Sequence, residues 1–197
     1  MGFVPALPDE PAEHVVAHFA FDPTFAVALA ARHQVRPDLR VGAQVAVPLF
    51  ARPGGIRVEA VLDGVIREER LQVQPQASVW LSHAGDAAVA STGLGVELGG
   101  RAGYAVARGS VGIELRVRPT LLARSAPREV ARAASPEVHG GWSALPGGRG
   151  AVGVYGVVAV GEHGTLGLSG GWASLPGGFA DVGALPFQVD LCGGVRW

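Results

Sequence analysis

In this chain of 197 residues, 48% are hydrophobic and only 17% charged, fewer than the quarter or so that an ordinary water-exposed surface carries. A net charge of −1 gives no electrostatic footprint for nucleic acid, and the single cysteine, Cys192, excludes an intrachain disulfide or a cysteine-rich metal site. No run of about eighteen apolar residues occurs, so no membrane helix is available, and a β-barrel is the fold that reconciles this composition with the absence of helical spans.

Residues 1–12 read as a Pro- and Ala-rich leader, without the basic start and apolar stretch of a secretory signal. An exported barrel would be expected to carry such a signal ahead of this numbering. From residue 13 the pattern changes to a two-residue alternation, which sends successive side chains to opposite faces of a strand. Ala17, Phe19 and Phe21 share a face, and Asp22-Pro23 offers a turn. Phe25, Val27, Leu29 and Ala31 follow, then Val41, Val45, Val47 and Leu49 opposed by Arg40, Gly42, Gln44 and Ala46. Pro53-Gly54-Gly55 breaks the chain.

Ile56, Val58, Ala60 and Leu62 then oppose Arg57, Glu59 and Asp63. Leu71, Val73, Ala77, Val79 and Leu81 face away from Gln72, Gln74, Gln76 and Ser78. Leu94, Val96, Leu98, Ala102 and Tyr104 oppose Glu97 and Arg101, and Val111, Ile113, Leu115 and Val117 oppose Glu114, Arg116 and Arg118. Residues 122–148, aperiodic and rich in Pro, Arg and Gly, read as one long loop. Val152, Val154, Val158 and Val160 precede Leu166, Leu168 and Trp172. In the last strand Phe187, Val189, Leu191, Val195 and Trp197 share one parity, against Asp190, Cys192 and Arg196 on the other.

Connections at 36–38, 67–69, 107–109 and 162–164 are short, and those at 82–90, 122–148 and 173–184 are longer, so every second connection is tight. Placing the final strand downward makes the 13–21 block a strand as well and predicts ten strands; eight follow if that block and one other do not span. The predicted fold is all-β, an antiparallel up-and-down transmembrane barrel over residues 13–197. The apolar parity carries no charge, whereas Arg57, Glu59, Asp63, Glu97, Arg101, Glu114, Arg116, Arg118, Asp190 and Arg196 all sit on the other. A one-residue slip would turn these charges outward, so they are expected to form a paired polar network that plugs the interior. Trp80, Tyr104, Trp142, Trp172 and Trp197 fall near strand ends, as in an interfacial girdle.

Motifs with chemical associations are outweighed by their settings. Gly167-Leu168-Ser169-Gly170-Gly171 matches G-x-S-x-G, and 148–153 matches G-x-G-x-x-G, but each lies in strand pattern with no following helix. His14 and His18 have metal-ligand spacing without a third ligand. Ser82, His83 and Asp86 are the residue types of a hydrolytic triad crowded into one stretch. No cofactor or metal is expected.

The alternation, the alternating connection lengths and the terminal 187–197 strand ending on an aromatic resemble small bacterial outer-membrane β-barrels of the porin-like class. Phe21-Asp22-Pro23-Thr24 and Gly141-Trp142-Ser143-Ala144-Leu145-Pro146-Gly147-Gly148 resemble, more narrowly, uncharacterised barrels of GC-rich Gram-negative bacteria; the use of Arg for all sixteen basic residues reads as the mark of a GC-rich genome. The resemblance implies an outer-membrane location, contact with lipid and lipopolysaccharide, and a C-terminal strand read by the outer-membrane assembly machinery; it carries over no functional residue. It implies a structural, adhesive or small-solute role. Two other readings stand beside it. One is a soluble lipocalin-like barrel with its faces inverted and a ligand inside. The other is a barrel hydrolase of lipid or peptide, built on Ser82, His83 and Asp86.

Overall fold

A computed structural model describes residues 13–21, 26–48, 55–85, 88–135, 139–173 and 187–196. Among the described residues eleven strands follow one another: β1 (Glu13–Phe21), β2 (Ala26–Arg36), β3 (Leu39–Pro48), β4 (Ile56–Gly64), β5 (Ile66–Glu68), β6 (Leu71–Gly85), β7 (Val89–Val106), β8 (Gly109–Pro127), β9 (Gly141–Val160), β10 (Gly164–Ala173) and β11 (Phe187–Arg196). A six-residue helix, α1 (Glu129–Ala134), lies between β8 and β9. All ladders are antiparallel between sequence neighbours, with β1 against β11. β4 also pairs with β6, so the ladders form a circuit, and β5 continues β4 along β6 past Val65. The ring therefore has ten strand positions, the number expected from the alternation.

Tight turns at 37–38, 69–70, 107–108 and 161–163 gather at one end of the barrel. Two of these turns use the left-handed backbone region: Gly161 at φ 66° takes it freely, while Glu69 adopts φ 50° despite its side chain. The turn expected at 67–69 is displaced to 69–70, because Ile66–Glu68 pairs with Leu71–Val73. The longer connection expected at 82–90 shrinks to 86–88, because β6 and β7 stay paired out to Gly85 and Ala90.

The largest difference from the sequence reading concerns 122–148. The strands continue through most of it: Leu122 pairs with Ala144, Arg124 with Trp142 and Ser125 with Gly141, which leaves 128–140 as the connection. Leu121 is an extra residue of β8 against β7, and the register of β8 against β9 shifts at the same place, where residues 145 and 146 of β9 face Leu121 alone. A bulge of this kind reverses which parity faces out, so a period-two reading loses phase there. Beside it Pro119 has no N–H to donate, and the β7–β8 ladder is interrupted between Gly95↔Thr120 and Leu98↔Val117.

Burial alternates with the pleat. In β4, Ile56, Val58 and Leu62 are exposed while Glu59 and Asp63 are buried; in β8, Val111, Ile113, Leu115 and Val117 are exposed while Glu114 and Arg116 are buried. Polar residues thus fill the inside and aliphatic residues cover the outside, the reverse of a water-soluble domain. The faces are not inverted in the lipocalin sense, because the apolar parity does not line the interior. The outward stretch from Val152 to Val160 spans about 20 Å of barrel height, at about 3.3 Å per residue and a tilt of about 40°.

Candidate functional site in the barrel lumen

The strand period alone aims the lumen residues inward, and shear then decides which of them meet. Arg101 and Glu114 are direct cross-strand partners on β7 and β8. The Arg101 guanidinium donates from Nε and Nη2 to Glu114 Oε2 at 3.1 and 2.9 Å. Arg116, one inward position further along β8, donates to the other carboxylate oxygen at 2.9 Å, so Glu114 is shared between two arginines. The same Arg116 Nη2 reaches Asp190 Oδ2 on β11 at 3.2 Å. β9 and β10 lie between those two strands, so this ion pair crosses the lumen rather than running along its wall.

Tyr155 of β9 supports the other end of this chain of contacts. Its ring lies under Arg101, 4.5 Å from guanidinium carbon to ring centroid, a distance at which a cation is attracted to the π face. The ring needs the glycines opposite it: a Cβ on Gly103 would stand 2.3 Å from the Tyr155 hydroxyl. Nearby, Arg118 pairs with Glu97, and Ser78 donates a hydrogen bond to Glu59. A third cluster gathers Arg32 of β2 and Arg40 of β3 around Asp63 of β4, at 3.3 and 3.6 Å. All three side chains in it are almost fully buried, and so are Arg101, Glu114 and Arg116.

Of the residues that the sequence assigns to an inner network, Glu59, Asp63, Glu97, Arg101, Glu114, Arg116 and Asp190 are buried in the lumen, and Arg57 and Arg118 are half-buried there. Arg196 lies on β11 opposite His14, and its side chain is outside the described residues. Several inward groups are missing from that assignment: Arg32, Arg40, Arg149, Gln44, Gln72 and Gln74. Their parity was legible in the sequence, but isolated Arg and Gln residues between apolar neighbours give little sign of meeting one another.

The aromatic residues divide. Tyr104, Trp142 and Trp172 point outward and are exposed. Trp80 does not join a girdle: it is buried in the lumen beneath Arg57 at 4.8 Å, and its indole N–H donates to the Val96 carbonyl at 3.2 Å. Trp197 lies outside the described residues.

The hydrolytic constellation does not assemble. Ser82 and His83 are consecutive on β6 and so project to opposite faces. The His83 ring nitrogen is engaged by the Thr92 hydroxyl at 3.0 Å on the outside, and Asp86 lies outside the described residues. Ser169 is buried on β10 opposite Asp190 and Tyr155 within a continuous strand, without the strand-to-helix elbow that exposes a nucleophile. Among the described residues no group of three His, Cys, Asp or Glu side chains could hold a metal.

The interior is unequal around the ring. On β2 to β8 it carries long side chains, those of the ionic clusters apart from Asp190 of β11, together with Gln44, Gln72, Gln74 and Gln76. On β9 and β10 the inward positions are mostly small: Ala151, Gly153, Gly167, Ser169, Gly171 and Ala173. β9 and β10 approach so closely there that a Cβ on Gly171 would stand 2.4 Å from Gly153 Cα, as at a tightly coiled barrel corner. Comparison with known proteins adds no relative: no protein-family model matches this chain, and no curated protein sequence is significantly similar to it.

Proposed function

We propose that this chain is an integral β-barrel of a bacterial outer membrane, with a lumen occluded by its own ion pairs and a structural, adhesive or small-solute role. One observation carries the reading: among the described residues, thirty or more large aliphatic and aromatic side chains are exposed while seventeen polar or charged residues are buried. Exposed to water, an apolar surface of that extent far exceeds the few hundred Å² that a soluble monomer tolerates. In a bilayer the same surface needs no cover, and a closed set of ladders leaves no open sheet edge in hydrocarbon. Four tight turns gathered at one end match the periplasmic end of such barrels. The outward residues Phe187, Val189, Leu191 and Val195 on β11, with Trp197 after them, are the surface we assign to recognition by the assembly machinery. Lipid and lipopolysaccharide are the partners of the outer face.

The test is refolding from urea with and without detergent micelles or phospholipid vesicles, read by strand content in circular dichroism and by heat-dependent mobility in gels. A compact, heat-modifiable species formed only with amphiphile is the expected result. A monodisperse β-rich protein in plain buffer would overturn the reading.

A further inference from the structure

The ion pair between Arg116 and Asp190 joins a wall of long charged side chains to a wall of small ones. Beside Arg149, Tyr155 and Val157, the inward residues of β9 and β10 are small, and Arg116 is the described group whose ion pair crosses from β8 to β11 past these two strands. Two further observations bear on what would pass if the crossing opened. Among the described lumen residues, the arginines at 32, 40, 57, 101, 116, 118 and 149 outnumber the carboxylates at 59, 63, 97, 114 and 190. Gln188, two positions from Asp190 on the same inward face of β11, is buried to 6% exposure, and its amide nitrogen has no hydrogen-bond acceptor among the described residues. A buried amide donor of this kind is available to an acceptor in the lumen, a water or a small anion alike.

We propose that the small-residue wall of β9 to β11 is one side of a path for small inorganic anions, closed at rest by Arg116–Asp190. The inference rests on the membrane-barrel reading. Breaking the pair from the Asp190 side frees Arg116 from the far wall, leaves it held by Glu114 and increases the excess of positive charge along the path. The Gln188 amide then serves as a donor to the passing ion. Cys192, also inward on β11 and buried, is a built-in reporter, because its thiol meets water-soluble reagents only when the path is open.

Wild type, Asp190→Asn, Arg116→Gln and Gln188→Glu would be folded into detergent, checked for heat-modifiable mobility and reconstituted in planar bilayers under a potassium chloride gradient. Open probability in Asp190→Asn is expected to rise about tenfold or more over wild type, since a buried pair loses a partner, with a reversal potential on the chloride side. Arg116→Gln is expected to open with weaker chloride preference. Gln188→Glu leaves the pair intact and is expected to reduce the chloride preference of the rare wild-type openings. Cys192 should react with an anionic methanethiosulfonate in Asp190→Asn and be protected in wild type. Failure of every protein to form the heat-modifiable species would sink the membrane reading itself. Inserted variants as silent as wild type, with Cys192 still protected, or openings that prefer potassium, would overturn the anion path alone. If Asp190→Asn does not fold, Arg116→Gln and Gln188→Glu decide the matter by the same criteria.

Discussion

The two walls of the lumen solve one packing problem by opposite means. Along β3 to β8 the interior is filled locally: Arg101 meets Glu114 on the neighbouring strand, Arg118 meets Glu97, and Ser78 meets Glu59. Along β9 and β10 it is left narrow by glycine, alanine and serine and is filled from elsewhere. Arg149, Tyr155 and Val157 of β9 are larger, and Tyr155 leans across β8 onto Gly103 of β7. The difference shows where stability and adaptability reside. A charge shared by several partners is expensive to disturb, whereas a wall of small residues contributes little by its own contacts.

The sharpest break in that comparison is Glu114→Ala. It strips Arg101 and Arg116 of the carboxylate they share, and a stability loss of about 3–5 kcal/mol is expected in urea titrations of the detergent-folded protein. A loss below about 1 kcal/mol would mean that water already serves these arginines. On the outer side of the same strand, Ile113→Arg puts a charge into the middle of the apolar band. It should cost about 2–4 kcal/mol in vesicles, and a neutral result would show that this face is not in hydrocarbon. Gly103→Val tests a place where β9 sends a bulky group across β8. The clash with the Tyr155 hydroxyl should cost about 1–3 kcal/mol, and the companion change Tyr155→Ala should remove that clash. Ser169→Ala, within the small wall, should change stability by about 1 kcal/mol or less. A larger loss would place Ser169 inside the ionic network.

The sequence made the strand faces legible because each inward charge between outward aliphatics pins the register; a one-residue slip at Glu114 or Arg116 would expose it. It did not reveal who pairs with whom. Arg116 and Asp190 lie far apart in the chain on strands that are not neighbours, and their meeting depends on the shear and coiling of the whole ring. The extended β8–β9 hairpin was missed for a different reason. Past the bulge at Leu121, outward positions such as Leu122, Arg124 and Trp142 mix apolar, basic and aromatic side chains, and Arg124 stacks 6.0 Å from the Trp142 ring. With no single apolar face there, period-two hydropathy carries no information, and only backbone pairing defines the strand. Trp80 was ambiguous from composition alone, since an indole suits an interface or an interior equally well. Its buried N–H contact with Val96 decides the matter.

The assignment of lipid to the outer face and polar contacts to the lumen is tested most directly by tryptophan quenching in vesicles with brominated acyl chains. Two variants would each retain one tryptophan: the native Trp80, or a tryptophan introduced by Leu115→Trp on the outward face of β8. Strong quenching of the residue at 115, with Trp80 unaffected, is the predicted result. Quenching of Trp80 with protection at 115, or protection of both, would contradict the account.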